Sequence, residues 1–317
     1  MKKILKQLFL TAVLLVIILA GFRIFEGSAY PEDMEKPVIT KENQDRHSYY
    51  KPVPIPDHLN FAGEHVPLEY FDVKESLDRE LLVNSYFHSQ TLRYLKMAPR
   101  YFGMIEPILK ADTVPLDFKY LALAESGFDP RATSPAGAVG FWQFLKGTAT
   151  DYGLEVNREV DERYHIERST HAACRYLKDA YRQFGNWTLV AASFNGGKNF
   201  IGRQMRQQKA QSYYNLLVGQ ENGRYVFRIL ALKLILENPE LYGFKVEEKD
   251  KYPVWKTKTI NIDTPVSSFA DFARLHGTNY KILKMLNPWL RESYLTNAKR
   301  NTYTILLPDE GFRNEKK

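Results

Sequence analysis

The sequence predicts a mainly helical protein that ends in a small module of mixed strands and helices. From Leu68 to Asn238 apolar residues recur at helical spacing, and glycines mark the ends of the helices: Gly127, Gly153, Gly185 and Gly196. The alternation typical of strands is nearly absent before Val254. After that residue, two short alternating stretches enclose two short helical ones. The predicted fold class is therefore mainly α, with a C-terminal β-α-α-β module.

The N-terminal region predicts an export segment followed by a linker. An apolar run of 15 residues, Leu8 to Phe22, follows three lysines, which is the pattern of an export signal. The run is shorter than the ~20 residues that span a bilayer comfortably. Residues 1–29 are therefore either a cleaved signal or an anchor in the cytoplasmic membrane, with the rest of the chain outside. Residues 30–67 are polar and rich in proline, so we expect a semi-stiff linker without a core of its own.

Residues 68–247 are predicted to form the main helical domain, and one of its helices has an especially clear pattern. Apolar residues from Ala173 to Phe184 recur at helical spacing, and Gly185 follows them. The chain's one cysteine, Cys174, lies on this helix, so no intramolecular disulfide can form. Its apolar neighbours indicate a buried, inert thiol rather than a nucleophile.

Residues 254–310 are predicted to form the C-terminal module. Strands are expected at Lys256–Ile262 and Tyr303–Leu307, with helices around Phe269–Leu275 and Tyr280–Leu286 between them. A unit of about 55 residues folds alone only marginally, which favours docking on the helical domain.

The charge argues against one class of partner. The formal net charge is +7, and part of it lies in the basic leader, so the remainder carries no basic stripe for nucleic acid. A mildly basic protein suits a polyanionic cell wall or membrane surface, although an ordinary solvated surface has the same composition.

One predicted helix places a carboxylate at a buried end. Residues 114–127 read VPLDFKYLALAESG, and the continuous apolar stretch Tyr120–Ala124 indicates burial on most sides. Glu125 closes this helix. Desolvation and the negative end of the helix dipole both favour its protonated form, which a general acid needs near neutral pH. A glutamate that extends to solvent is the alternative on these residues alone.

Two further segments combine polar groups with small residues. Residues 134–143 read SPAGAVGFWQ, in which the small residues allow a close approach of the backbone and Gln143 offers an amide. Phe141 and Trp142 form either a sugar-stacking wall or part of the core. Residues 191–197 read AASFNGG, so Asn195 is expected at an exposed helix end, where its amide can bind a ligand or cap the helix.

Together these segments resemble the lysozyme-like domain of lytic transglycosylases, in particular the membrane-bound lytic murein transglycosylase D group. Four short motifs over roughly residues 70–244 carry the resemblance: ES at 125–126, GFWQ at 140–143, SFNGG at 193–197 and ENGRYV at 221–226. The third departs from the family's Ala-Tyr-Asn-X-Gly at Ser193 and Phe194. The fourth departs from Glu-Thr-Arg-X-Tyr-Val at Asn222 and Gly223.

The resemblance implies a lysozyme-like catalytic domain that cleaves peptidoglycan with a single glutamate. Glu125 would protonate the oxygen between N-acetylmuramic acid and N-acetylglucosamine and then accept the proton of the C6 hydroxyl, giving a 1,6-anhydro product without water. Polar side chains would bind the substrate: Ser126, Ser134, Gln143, Asn195, Glu221 and Tyr225. No metal or cofactor is implied, and the seven histidines show no metal-ligand spacing. The expected location is the periplasmic side of the cell envelope.

The tail resembles a degenerate LysM module, a small glycan-binding unit. The positions that carry this resemblance are Phe269, Phe272, Ala273, Gly277, Leu283, Asn287, Pro288 and Leu307. The usual Gly-Asp-Thr-Leu opening is absent around 263–266, so glycan binding and a purely structural cap both stay open. Because the four motifs are complete by Val226, we expect the tail to lie outside the catalytic centre and to be dispensable for cleaving short glycan fragments.

Two rival functions remain compatible with the sequence. A goose-type lysozyme-like muramidase would share the fold and substrate but use water as the acceptor, and a wall-binding protein would bind glycan without cleaving it. The presence of Glu125 argues against the wall-binding protein, because a protein that only binds glycan has no use for a desolvated acid. The sequence names no protein partner, stem-peptide preference or mode of attack along the strand.

Overall fold

The computed structural model describes residues 51–313, which are mainly helical. A short hairpin of β1 (Asn60–Phe61) and β2 (Glu64–His65) comes first. Eight α-helices follow in the described chain: α1 (Phe71–Tyr86), α2 (His88–Ala111), α3 (Phe118–Ser126), α4 (Lys146–Asp151), α5 (Ile166–Phe184), α6 (Trp187–Gly196), α7 (Lys198–Gln208) and α8 (Gln220–Glu237). The C-terminal module consists of β3 (Thr257–Ile262), α9 (Phe269–Leu275), α10 (Tyr280–Leu286) and β4 (Tyr303–Pro308).

The mainly α fold class and the β-α-α-β module predicted from the sequence are confirmed. Strands β3 and β4 pair antiparallel, with Ile260 opposite Ile305. Helix α5 ends at Phe184, and Gly185 caps it in the left-handed conformation that glycine adopts at low cost. Cys174 on this helix is fully buried, as predicted, and burial raises the pKa of its thiol to about 12, which disfavours the reactive thiolate.

Helix α8 forms the centre of the main core. Nearly every residue from Tyr225 to Ile235 is buried, so the helix is covered on most sides and packs against α1, α3 and α6. This packing brings the first half of α8 next to the C-terminal end of α3. The arrangement places Tyr225 beside Glu125, two residues that are far apart in the sequence.

The predicted linker is wrong in its last part. Leu59, Phe61 and Val66 are at most 7% exposed and belong to the main hydrophobic core. The turn between β1 and β2 tucks these side chains inward, a long-range contact that a polar, proline-rich composition does not reveal. The helical domain therefore begins before residue 59 rather than at residue 68.

Charged side chains hold this hairpin in place: Lys233, which is buried, and Asp117 and Glu64, which are partly buried. The Asp117 carboxylate accepts hydrogen bonds from the Ala62 amide and from Lys233 Nζ, both at 2.7 Å. Lys233 also donates to the Asn60 carbonyl at 3.1 Å. The Glu64 carboxylate accepts from the Thr188 amide at 2.9 Å and so caps the start of α6. The hairpin thus connects the starts of α3 and α6 to the end of α8.

The C-terminal module is docked on the helical domain, as the sequence favoured. Both contribute to a second hydrophobic core: Val139, Val160 and Tyr164 from the helical domain and, from the module, Ile262, Phe269, Ala273, Leu283, Trp289, Leu290, Leu295, Tyr303, Ile305 and Leu307. The backbone amide of Asp161 also donates to the Trp289 carbonyl at 2.9 Å.

The predicted signal or anchor at residues 1–29 lies outside the described residues. Among residues 51–313, no helix has the length and apolar character needed to cross a membrane.

Candidate active site

A cleft of about 480 Å³ lies between the end of α3, the loop of residues 133–144 and the end of α6. It is lined by residues from three of the four sequence motifs, including Glu125, Gln143 and Asn195. Glu125 is the only carboxylate among the described residues that line it. Motifs that are separated in the sequence therefore meet at one surface.

Glu125 is a partly buried acid at the last turn of α3, just before the left-handed cap at Gly127. Burial is the largest effect on this carboxyl and raises its pKa from 4.5 to about 7, while the hydrogen bond from Tyr225 and the charge of Arg228 oppose the increase. A substantial fraction of the group is therefore protonated at neutral pH, as a proton donor requires.

The partner of Glu125 comes from the core. The Tyr225 hydroxyl donates a hydrogen bond to Glu125 Oε1, and the tyrosine side chain is only 1% exposed. Burial and then the neighbouring carboxylate raise the pKa of this phenol well above its usual range, so it stays a donor. Tyr225 thus holds one oxygen of Glu125 from behind and leaves the cleft side open.

The loop of residues 133–144 forms the opposite wall, folded through isolated bridges at Thr133–Val139 and Val139–Phe144. The Ser134 hydroxyl lines the cleft and accepts from the Ala138 amide at 3.0 Å. Gln143 lines the cleft too, but its Nε2 donates to the Gly140 carbonyl at 2.8 Å. These two side chains therefore shape the loop as well as facing the cleft.

The end of α6 completes the cleft. Asn195 is exposed there, as expected, and Tyr176 lines the same region with its hydroxyl donating to the Ser193 carbonyl at 2.9 Å. Phe194 occupies the position of the family's tyrosine and packs edge-on against Tyr176. An apolar ring at this position therefore supports the wall without offering a hydroxyl.

Three of the predicted substrate-binding residues do not line the cleft: Tyr225, which lies in the core behind Glu125, and also Ser126 and Glu221. Ser126 is buried, and its hydroxyl donates to the Ala122 carbonyl at 2.8 Å and accepts from the Phe128 amide. Glu221 lies at the exposed start of α8 and pairs with Arg228 at 3.0 Å. Ser126 thus stabilises the end of α3, and the charge of Glu221 raises the pKa of Glu125 while that of Arg228 lowers it.

Several roles were left open or missed by the sequence. Phe141 and Trp142 are both in the core rather than in a sugar-stacking wall, and the Trp142 indole donates to the Thr170 hydroxyl at 2.9 Å. The buried Arg163, behind the loop wall, was not singled out at all. Its sequence context, Asp161-Glu162-Arg163, reads as an ordinary charged turn, so no local signal marks it.

Comparison with known families assigns both parts of the described chain. Residues 105–217 match the family described as "Transglycosylase SLT domain", and residues 258–311 match the "Soluble lytic transglycosylase C-terminal LysM-like domain". The chain carries an SLT domain followed by a LysM-like domain. The resemblance to these families is confirmed; the matched residues include the first three motifs and the tail, and the fourth motif, at 221–226, lies just beyond the SLT match.

Individual relatives match the SLT domain and its surroundings. The chain is 31% identical over 228 residues to membrane-bound lytic murein transglycosylase D of Escherichia coli, covering 70% of this chain and 49% of that protein. It is 28% identical over 120 residues to soluble lytic murein transglycosylase of Salmonella typhimurium, covering 35% of this chain and 19% of that protein. The chain thus spans half the length or less of these relatives.

Among solved structures, an inactive mutant of lytic transglycosylase Slt from Pseudomonas aeruginosa matches with 18% identity and a TM-score of 0.38. The match covers 48% of this chain and 26% of that one.

Proposed function

We propose that this protein is a lytic transglycosylase that cleaves the β-1,4 bond between N-acetylmuramic acid and N-acetylglucosamine in peptidoglycan. The observation that carries the proposal is a single carboxylate at the cleft, Glu125, with a pKa raised to about 7 by burial. Glycosidases that use water usually need two carboxylates, one as acid and one as base or nucleophile. A site with one carboxylate suits a reaction in which the same group donates a proton and then accepts one.

In the proposed reaction, protonated Glu125 donates its proton to the glycosidic oxygen as the bond from that oxygen to muramoyl C1 breaks. The substrate's 2-acetamido group stabilises the positive charge at C1. The Glu125 carboxylate then accepts the proton of the muramoyl C6 hydroxyl while that oxygen bonds to C1. The products are a 1,6-anhydromuramoyl end and a free N-acetylglucosamine end, and Glu125 is protonated again.

The other cleft residues would bind and orient the glycan. Ser134, Gln143 and Asn195 offer polar groups along its length, and Tyr225 fixes the orientation of Glu125. Neither a metal nor a cofactor enters the proposed chemistry. The LysM-like domain is a candidate for additional glycan contact. The substrate places the enzyme on the periplasmic side of the envelope, and we propose that the basic, apolar leader attaches it to the inner membrane.

The test is product analysis with Glu125→Gln and a matched control, Glu75→Gln, at an exposed position of α1. Glutamine keeps the size and hydrogen bonding of glutamate but cannot donate a proton in this way. We expect wild type and Glu75→Gln to release 1,6-anhydromuramoyl products, measured by mass spectrometry of digested sacculi. Glu125→Gln should lose at least the ~10²–10⁴-fold that general acid catalysis contributes.

Three results would contradict the proposal in different ways. Reducing muramic acid ends from wild type would identify a muramidase of the goose-type lysozyme kind. Binding without cleavage by wild type would identify a wall-binding protein. Normal turnover by a folded Glu125→Gln protein would move the chemistry to another group.

A further inference from the structure

We propose that Arg163 is a positioning residue for the cleft, tying the loop of residues 133–144 to a segment that the LysM-like domain holds in place. The inference rests on the proposed function for its kinetic consequence, but the geometry that carries it is independent of the reaction. It gives the C-terminal domain a role in building the active site, apart from any glycan binding of its own.

Arg163 joins two backbone carbonyls of the cleft loop from behind. Its Nη1 donates to the Gly137 carbonyl at 3.1 Å and to the Phe144 carbonyl at 3.2 Å. Its Nε and Nη2 bind the two carboxylate oxygens of Asp161 at 2.9 and 2.8 Å. The side chain is 10% exposed and does not line the cleft, so Arg163 acts through the loop rather than on the substrate.

The backbone at Arg163 sets a second contact with the same loop. A Cβ atom on Gly140 would lie 2.0 Å from the Arg163 carbonyl oxygen, so only glycine permits this approach. Gly140 has a φ of +78°, a conformation that also favours glycine. The loop therefore rests directly on the main chain of the segment that carries Arg163.

The segment of residues 155–164 is held on its other side by the LysM-like domain. Val160 bridges to Leu290, and the Arg291 amide donates to the Glu159 carbonyl at 2.7 Å. The Glu159 carboxylate accepts from the Thr296 amide at 2.7 Å, and Tyr303 donates to Glu155 at 2.9 Å. The C-terminal domain thus fixes this segment along its whole length.

One residue of the cleft loop reaches the C-terminal domain directly. Val139, which follows the cleft-lining Ala138, is 4% exposed and belongs to the hydrophobic core of that domain. Removing the C-terminal domain would take away the core that holds Val139. Replacing Arg163 would take away its hydrogen bonds to the loop. Ser134 and Gln143, which face the cleft, lie on this loop.

The fork geometry of arginine makes Arg163→Lys an informative variant. Lysine keeps the positive charge beside Asp161, but a single ammonium cannot hold both carboxylate oxygens and two carbonyls in fixed directions. The matched control is Arg158→Lys. Arg158 pairs with Glu292 of the C-terminal domain at 2.8 Å on the surface and donates no hydrogen bond to the cleft loop.

The experiment compares the wild-type protein and the two variants by hydrogen–deuterium exchange and by steady-state kinetics on soluble glycan fragments. We expect faster amide exchange in residues 133–144 for Arg163→Lys alone, with α3 and α8 unchanged. Displacement of the loop should lower kcat/KM about 10- to 100-fold, mainly through KM, because the loop orients substrate. The alkaline limb of the pH–rate profile should not move, since Glu125 keeps its surroundings.

Unchanged exchange in residues 133–144 would overturn the proposal, and so would an increase spread over the whole helical domain. Equal effects of Arg158→Lys would overturn it as well. If wild type releases no anhydromuramoyl products, the proposed function fails, and the exchange measurement still decides the role of Arg163.

Discussion

The two walls of the cleft are held in place by different parts of the chain. The wall with Glu125 is built on α3 and α8 in the main core, where Tyr225 fixes the carboxyl group. The opposite wall, residues 133–144, depends on Arg163 and on a core shared with the LysM-like domain. Under the proposed function, one wall sets the protonation of Glu125 and the other orients the glycan.

The largest effect is expected when the C-terminal domain is removed, because this domain supports one wall of the cleft and not the other. A chain ending at Glu248 would expose Val139, Val160 and Tyr164, which are buried in the shared core. Each such side chain contributes about 1.5–3 kcal/mol when fully buried. We expect the truncated protein to keep its helical circular dichroism but to lose cleavage of short soluble fragments as well as of sacculi.

This outcome is the opposite of what the positions of the four motifs predict. Because those motifs end at Val226, the sequence predicts that cleavage of short glycan fragments does not need the tail. The control is a chain ending at Phe312, which leaves every strand and helix of the module intact. Wild-type turnover of short fragments by the chain ending at Glu248 would show that the loop wall stands without the module.

The next effect concerns the wall that carries Glu125, called the acid wall below. Tyr225→Phe removes one hydrogen bond to Glu125, and hydrogen bonds to charged groups correspond to roughly 10- to 100-fold in rate. Because this bond opposes the burial that raises the pKa of Glu125, its loss should raise that pKa further. The alkaline limb of the pH–rate profile should therefore move to higher pH, while kcat/KM falls.

Tyr120→Phe is the matched control for this variant. Tyr120 is a buried tyrosine on the same helix, α3, whose hydroxyl donates to the Glu237 carboxylate at 3.0 Å, away from the cleft. We expect it to leave the pH–rate profile unchanged. A Tyr225→Phe protein with normal activity and a lower Tm would make the tyrosine purely structural.

The smallest expected effect is on stability. The pKa of Glu125 in the folded protein, about 7, lies above its ordinary value of 4.5 because burial disfavours the charge. The contribution of the protonated Glu125 carboxyl to the free energy of unfolding is therefore complete below pH 4.5. It is lost as the pH rises through 7. Glu125→Gln does not titrate, so its Tm should exceed that of wild type at pH 8 by roughly 2–6 °C and by less at pH 4. A constant difference across this range, measured by calorimetry, would contradict a buried, neutral acid.

The elements that could be predicted are those with local signals. The two helices of the module, Phe269–Leu275 and Tyr280–Leu286, occur where the apolar pattern indicated, because their helical spacing and their caps lie within a few residues. The position of Glu125 at a helix end followed from the apolar run and the glycine after it. Ser134, Gln143 and Asn195 reached the same cleft because short motifs locate backbone turns well.

Orientation and long-range packing could not be predicted in the same way. Ser126 follows Glu125 directly, but successive side chains on a helix point ~100° apart, so it turns into the core. Phe61 lies in a proline-rich stretch, and it is buried against Phe118 in a hairpin that Asp117 and Lys233 hold to the domain. Arg163 has no motif, since its role depends on carbonyls about 20 residues away in the sequence.

The shared core also sets an order for completing the active site during synthesis. Domains fold largely as their residues emerge, and the N-terminal parts come first. The acid wall is complete once α8 has emerged, but the core around Val139 includes Ile305 and Leu307 of the last strand. A nascent or C-terminally clipped chain would therefore carry its acid without a finished glycan-binding wall. Under the proposed function, this arrangement couples cleavage of the glycan to an intact LysM-like domain.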